Sequence, residues 1–379
     1  MFEQLFAIAR NTFFESIRQP IVLVVLLVAT LALVLSNPLS AFTMEDDQRM
    51  LVDIGMATVF LCGALLAAFV ATGVLTREIE NRTALTVISK PVGRPLFVIG
   101  KYLGVAAALT LCTIYMSLVF MLAELHSVLQ TVRDPIHVPV IVFGVGATFL
   151  GVGAAIWCNY FYGRVFASSV LVFMTPLLVL AYVFSLMFGP DFTPQPISLA
   201  FKGNIWLGLI CLMVAIQILT AIAIAASARL GQVMTLCVTL GVFLIGLMSD
   251  WILGRPMSRL RAVWTDRARA EGLTEEVEVV RQFALTSGEV QIATNPEIQH
   301  VSSVPLTSMA EGWEMMQYGG LSVVRAIIPN FQVLWMSDAL TQGHVIPVGY
   351  VAMSALYGVM YVGVALGLAV ILFQRREVG

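Results

Sequence analysis

Six long apolar tracts dictate what this chain can become. Residues 21–37, 55–76, 98–123, 139–188, 205–251 and 346–373 carry few charges, in a chain that is 59% hydrophobic and only 12% charged. Soluble domains use about 45–50% apolar residues. A helix needs about 20 mostly apolar residues to cross the hydrocarbon core of a bilayer. The expected fold class is therefore an all-α polytopic membrane protein.

Two of the tracts are too long to be single helices. At the rise of an α-helix, 139–188 and 205–251 would each extend about 70–75 Å. Each must fold back on itself, and each holds one internal cation, Arg164 or Arg229. An Arg at the centre of a span costs about 2.5–3.5 kcal/mol, so both belong at turns. Eight spans result: 21–37, 55–76, 98–123, 139–158, 167–188, 205–228, 232–251 and 346–373. The chain then divides into a membrane domain over 1–251, a segment over 252–345, and a last span with its tail over 346–379.

Ahead of the first span, Phe2, Leu5, Phe6, Ala9, Phe13 and Ile17 recur at helical spacing, with Glu3, Arg10, Asn11 and Arg18 elsewhere around the helix. This predicts an interfacial helix over 2–18, lying on the membrane and ended by Pro20. A cleavable signal peptide would instead open with a short basic region followed by one apolar run. With the N-terminus inside, Arg10, Arg18, Arg77, Arg82, Lys90, Arg94, Lys101, Arg164, Arg229, Arg375 and Arg376 share the cytoplasmic face. Short outer loops hold only Arg49, Arg133 and Lys202. That excess of inner cations puts both termini in the cytoplasm. Segment 252–345 then lies outside, where its own Arg255, Arg259, Arg261, Arg267 and Arg269 are tolerated because long segments cross largely regardless of charge. Within it, 256–272 reads as a basic amphipathic helix, 275–303 as short strands, and 309–328 as a helix broken at Pro329-Asn330. Its expected place is as a cap on the outer face of the bundle.

Catalytic chemistry is not apparent. His126, His137, His300 and His344 are scattered, and no HExxH, GxSxG or His/Cys cluster occurs. The five cysteines (Cys62, Cys112, Cys158, Cys211, Cys237) lie in or beside apolar runs and read as small hydrophobes. Gly93 to Tyr102 falls short of a phosphate-binding loop, with six residues between its glycines and Tyr102 in place of Ser or Thr. No metal, cofactor or catalytic residue is expected on this chain. A net charge of −2 gives no pull toward nucleic acid. Asp53, Glu124 and Asp250 stand at span ends, where they are expected to be solvated, which disfavours proton coupling through the membrane. Gly144, Gly146, Gly151 and Gly153, together with Gly363 and Gly367, read as positions for close helix packing.

The remaining signal is the charged stretch from Thr76 to Pro91 between two apolar spans. Glu78 and Arg82 stand at i, i+4 in the favourable order, which supports a helix by a few tenths of a kcal/mol. Ile79, Leu85 and Ile88 would face the membrane or bundle, leaving Glu78, Glu80, Asn81 and Arg82 toward the cytosol. Pro91 ends the helix, and Gly93-Arg94-Pro95 turns the chain into the next span.

The run Arg77-Glu78-Ile79-Glu80-Asn81-Arg82-Thr83, then Ser89-Lys90-Pro91, then Phe97-Val98-Ile99-Gly100-Lys101-Tyr102-Leu103-Gly104 resembles the region between spans two and three of ABC-2 type permeases. The surface helix at 2–18 is similar to that family's connector helix, and Leu372-Phe373-Gln374-Arg375-Arg376-Glu377-Val378 to its usual C-terminus. The likeness covers the first ~120 residues and the last span; the simplest members have six spans, against eight here. It implies a non-catalytic exporter subunit in the cell (inner or plasma) membrane. Such a subunit pairs with itself or a similar permease and binds a separate ABC ATP-binding subunit that holds the ATP. Residues 77–90 would be the coupling helix, with Arg77, Glu78, Glu80, Asn81 and Arg82 touching the ATPase. Two other classes stay open on the residues: a membrane scaffold acting through 252–345, and an ion-coupled carrier.

Overall fold

The computed structural model of the chain describes residues 2–42, 46–80, 93–128, 136–279, 282–284, 290–292 and 297–374. The side chains of 75–80 and 276–302 fall outside that description, as does most of the expected coupling helix at 77–90. The fold is predominantly helical and polytopic, that of an integral membrane protein. A surface helix, α1 (Phe2–Ile17), precedes α2 (Pro20–Ser40), whose first turn is opened by Pro20. Two very long helices follow, α3 (Asp47–Glu80) and α4 (Arg94–His126). Next come α5 (Val138–Tyr162), α6 (Phe166–Met187), α7 (Gly203–Ser227) and α8 (Gln232–Leu247).

Both long apolar tracts turn at their cation. Arg164 follows Gly163, which caps α5 in the left-handed conformation (φ +61°) that glycine adopts without strain. Asn159 closes this turn by donating its amide to the Arg164 carbonyl at 2.6 Å. Arg229 sits between α7 and α8, and its guanidinium reaches the Leu372 carbonyl at 3.1 Å.

Among the described residues seven helices are long and apolar enough to cross a membrane, and the expected eighth is a bent pair. Helix α8 has 16 residues, only about 24 Å of helix. It passes through a π-helical turn at Asp250–Gly254 into α9 (Arg255–Ala270), with a bend of 58°. Beyond α9, β1 (Thr274–Val279) pairs antiparallel with β4 (Glu297–Ser302), and β2 (Gln282–Ala284) with β3 (Val290–Ile292). This nested hairpin departs from an all-α chain. Helix α10 (Gly312–Ile327) opens with a capping box between Glu311 and Glu314, and α11 (Val348–Gln374) is the last span.

Helices α3, α4 and α7 form the buried centre, while α2, α5 and α11 expose most of their surface. Close approach depends on missing side chains: a Cβ at Gly55 would enter the Phe120 ring, and one at Gly63 would meet Ile216. Between membrane helices, where lipid is as apolar as leucine, such van der Waals fit is the main cohesive force.

Segment 252–345 does not stand clear of the bundle. Phe331 and Leu334 are fully buried and join the core of α3, α7 and α8. Phe331 packs edge-on against Phe60 and donates its N–H to the Gly246 carbonyl at 3.2 Å. Three tyrosines on one face of α11 hold this return segment by its backbone. Tyr350 donates to the Val333 carbonyl, Tyr357 accepts from the Asn330 N–H at 3.1 Å, and Tyr361 donates to the Ile327 carbonyl. Tyr361 lies 13 residues into α11, about 20 Å along its axis. The end of α10 is thereby drawn down alongside a spanning helix.

Candidate functional site: the base of the two long helices

Helices α3 and α4 contain 34 and 33 residues, so each is about 50 Å long. A hydrocarbon core is about 30 Å thick, and each rod extends beyond it. Their near ends flank the charged stretch 76–91. The expectation was a span ending at 76 and a separate helix from 77; instead α3 runs unbroken to Glu80. Arg77, Glu78 and Glu80 thus continue the α3 backbone, with their side chains outside the description. Asn81 and Arg82 lie outside the described residues altogether.

The first turns of α4 are held from two sides. On one side α1 crosses at Gly100 and Gly104. A Cβ on Gly100 would come within 2.8 Å of Ile8, and one on Gly104 within 2.5 Å of the Ala9 carbonyl oxygen. Between these glycines Lys101 is buried, its side chain 3% exposed, with Nζ 3.4 Å from the Glu15 carboxylate of α1. On the other side Arg94 donates to the Gln374 carbonyl at 2.9 Å, and Phe97 stacks on Phe373 at 5.8 Å between centroids. Arg94 and Arg229 therefore both place their charge against the last carbonyls of α11, the negative end of that helix.

The glycines read from sequence as packing positions divide. Gly151 meets Met174, whose Cα would lie 3.2 Å from an added Cβ. At Gly144 the nearest atom would be 3.9 Å away, and Gly363 and Gly367 face open space. The tightest crossing by α1 uses Gly100 and Gly104. The small-residue spacing was visible there too, but nothing local says which helix arrives.

At the opposite end, Glu124 corrects the expectation of solvated span-end carboxylates. It is 2% exposed, paired with Lys202, and accepts from the Gln48 amide at 2.8 Å. Asp53 and Asp250 are exposed; Asp53 accepts from the Ser337 hydroxyl, and Asp250 pairs with Arg325 at 3.4 Å. In the cap, Glu314 receives Arg267 at 2.7 and 2.9 Å, the Glu311 N–H at 3.0 Å and the fully buried Trp264 indole at 2.9 Å. The Arg267 guanidinium foremost, then the Glu311 N–H, hold its carboxyl well below the usual carboxylate range, at about 2. Among the described residues no group of three His, Cys, Asp or Glu side chains is placed to hold a metal ion. No protein-family model and no curated protein matches the chain.

Proposed function

We propose that the chain is the transmembrane permease subunit of an ABC exporter, driven by a separate ATP-binding subunit. In this reading Arg77, Glu78, Glu80, Asn81 and Arg82 form the contact with the ATPase. Its ATP-driven closure displaces the stretch between α3 and α4. The permease works as a homodimer or with a second similar permease in the cell membrane, with both termini cytoplasmic.

One observation carries the reading. The charged stretch joins two long, central helices, and the start of α4 is gripped by α1 and by the end of α11. A push on a loop between floppy helix ends would be absorbed locally. A push between stiff rods on a fixed base tilts the rods, and both lie at the centre of the bundle.

The test is purification from native membranes in mild detergent, with mass identification of what co-purifies. A stoichiometric soluble ATPase, lost when Glu78 and Arg82 are both replaced by Ala, is the expected result. A chain that comes alone, or only with extracytoplasmic proteins, refutes the exporter reading.

A further inference from the structure

On the flank away from α7 lies a cavity of about 440 Å³ between α2, α4, α5 and α6. This volume falls within the range of small-molecule sites. It opens sideways between α2 and α5, through exposed Val34, Val145 and Phe149. Its floor is set where α5 closes onto α6 at Gly151 and Met174. Along α5 it extends from Val140 to Phe149, about 14 Å. The lining thus forms a slot elongated along α5.

The hydrogen bonds fix what this slot offers an occupant. Thr30 gives its only hydroxyl proton to the Leu26 carbonyl at 2.7 Å. In the 3.0 Å contact of Tyr115 with Thr30, Tyr115 must therefore be the donor. Thr148 gives its proton to the Gly144 carbonyl at 2.9 Å. Each hydroxyl on the wall has thus spent its donor on the protein, and the remainder of the slot's length is apolar. Such a wall suits hydrocarbon.

The outer end differs. Asn37 donates its two amide protons to the Ser127 carbonyl at 2.7 Å and the Ala123 carbonyl at 3.4 Å, which leaves Oδ1 as its remaining group. His126 approaches the same carbonyl through Nδ1 at 3.1 Å; a carbonyl can only accept, so in the neutral ring Nε2 is left as an acceptor. Both residues line the cavity. Among the described residues its mouth therefore offers two acceptors and no Lys or Arg side chain.

We propose that this slot binds one single-chain amphiphile, its acyl chain between α2 and α5 and a neutral, hydroxyl-bearing head at Asn37 and His126. A carboxylate head would meet acceptors without a donor, so a monoacylglycerol fits better than a fatty acid. The inference does not rest on the exporter reading, because the site is defined by binding alone.

The full chain in phosphatidylcholine nanodiscs is photolabelled with a monoacylglycerol carrying a mid-chain diazirine, and adducts are mapped by mass spectrometry. Adducts should concentrate on 34–38 and 140–149. They should fall about tenfold in Gly144→Phe, which fills the slot, and persist in Gly144→Ala. The larger side chain has room, since the nearest atom to an added Cβ at Gly144 is 3.9 Å away; Val145→Trp repeats the test from an exposed position should Gly144→Phe not fold. Unlabelled monoolein should compete about tenfold better than oleate. Adducts spread equally over the outward face of α11 at Val359 and Val364, or undiminished in the filled variants, overturn the site. Equal competition by oleate overturns the head assignment. A cross-link from the slot to a second copy of the chain in place of lipid overturns the choice of occupant.

Discussion

Helices α1 and α10 are both amphipathic and both sixteen residues long, yet they are fastened by different physics. Helix α1 lies on the base of α4 through absent side chains at Gly100 and Gly104, with the Lys101–Glu15 pair beside the crossing. Helix α10 is held to α9 by a knot of polar bonds, in which Glu314 gathers Arg267, Trp264 and the Glu311 N–H. Near lipid, where burying apolar surface against protein brings little gain, contact follows from shape. Outside the spans, a carboxylate with several donors around it and a buried indole can fix geometry. The first fastening rests chiefly on close backbone fit, with one ion pair beside it; the second rests chiefly on the charge of Glu314.

The largest effect that separates the two is expected from Trp264→Ala. Removing a fully buried indole should cost about 3–5 kcal/mol in the cap. Hydrogen exchange should then rise in 255–327 while the protection of α3 and α4 stays intact. Gly104→Leu should do the converse, costing about 1–3 kcal/mol by overpacking. Its mark would be increased proteolysis around Arg10 to Arg18 with the cap unchanged.

Acid should distinguish them without mutation. Glu314 has its folded-state pKa lowered from 4.5 to about 2. Its stabilising contribution is therefore complete above about pH 4.5 and is lost as pH falls toward 2. Trp264 fluorescence should shift over that window in the wild type and shift less in Glu314→Gln. The smallest effect belongs to Gly367→Leu, whose side chain would enter open space. Its unfolding midpoint should stay within about 0.5 kcal/mol of wild type. A loss as large as that of Gly104→Leu would show that the outward face of α11 is covered in the assembled protein.

Much of the architecture is legible in the residues because bilayer thickness leaves few choices. Apolar length locates the spans, Arg164 and Arg229 mark the two turns, and Pro20 divides α1 from α2. The basic helix, the short strands and the α10 helix follow from ordinary periodicity. What escapes the sequence is long-range. Phe331 to Leu340 is too short for a span; the tyrosines of α11, the Gly246 carbonyl and the rings of Phe60 and Phe243 bring it into the core. Glu124 is charged and near a span end, which suggests water, and its burial depends on Lys202, 78 residues away. Small-residue spacing occurs at Gly100/Gly104 and at Gly363/Gly367 alike, and the pattern does not say which is occupied. The embedding of 328–341 also bears on function. Removing all of 256–340 would take core residues with it, so the scaffold alternative is better tested by deleting only the 274–302 hairpin.

The central claim is that a partner's motion reaches the bundle through the gripped base of α4. Its most direct test measures, for Gly104→Leu, both association with the proposed ATP-binding subunit and ATP-driven transport in proteoliposomes. The account predicts association within about twofold of wild type and transport lost, because the contact survives while its footing slips. Association and transport both at wild-type levels would contradict it.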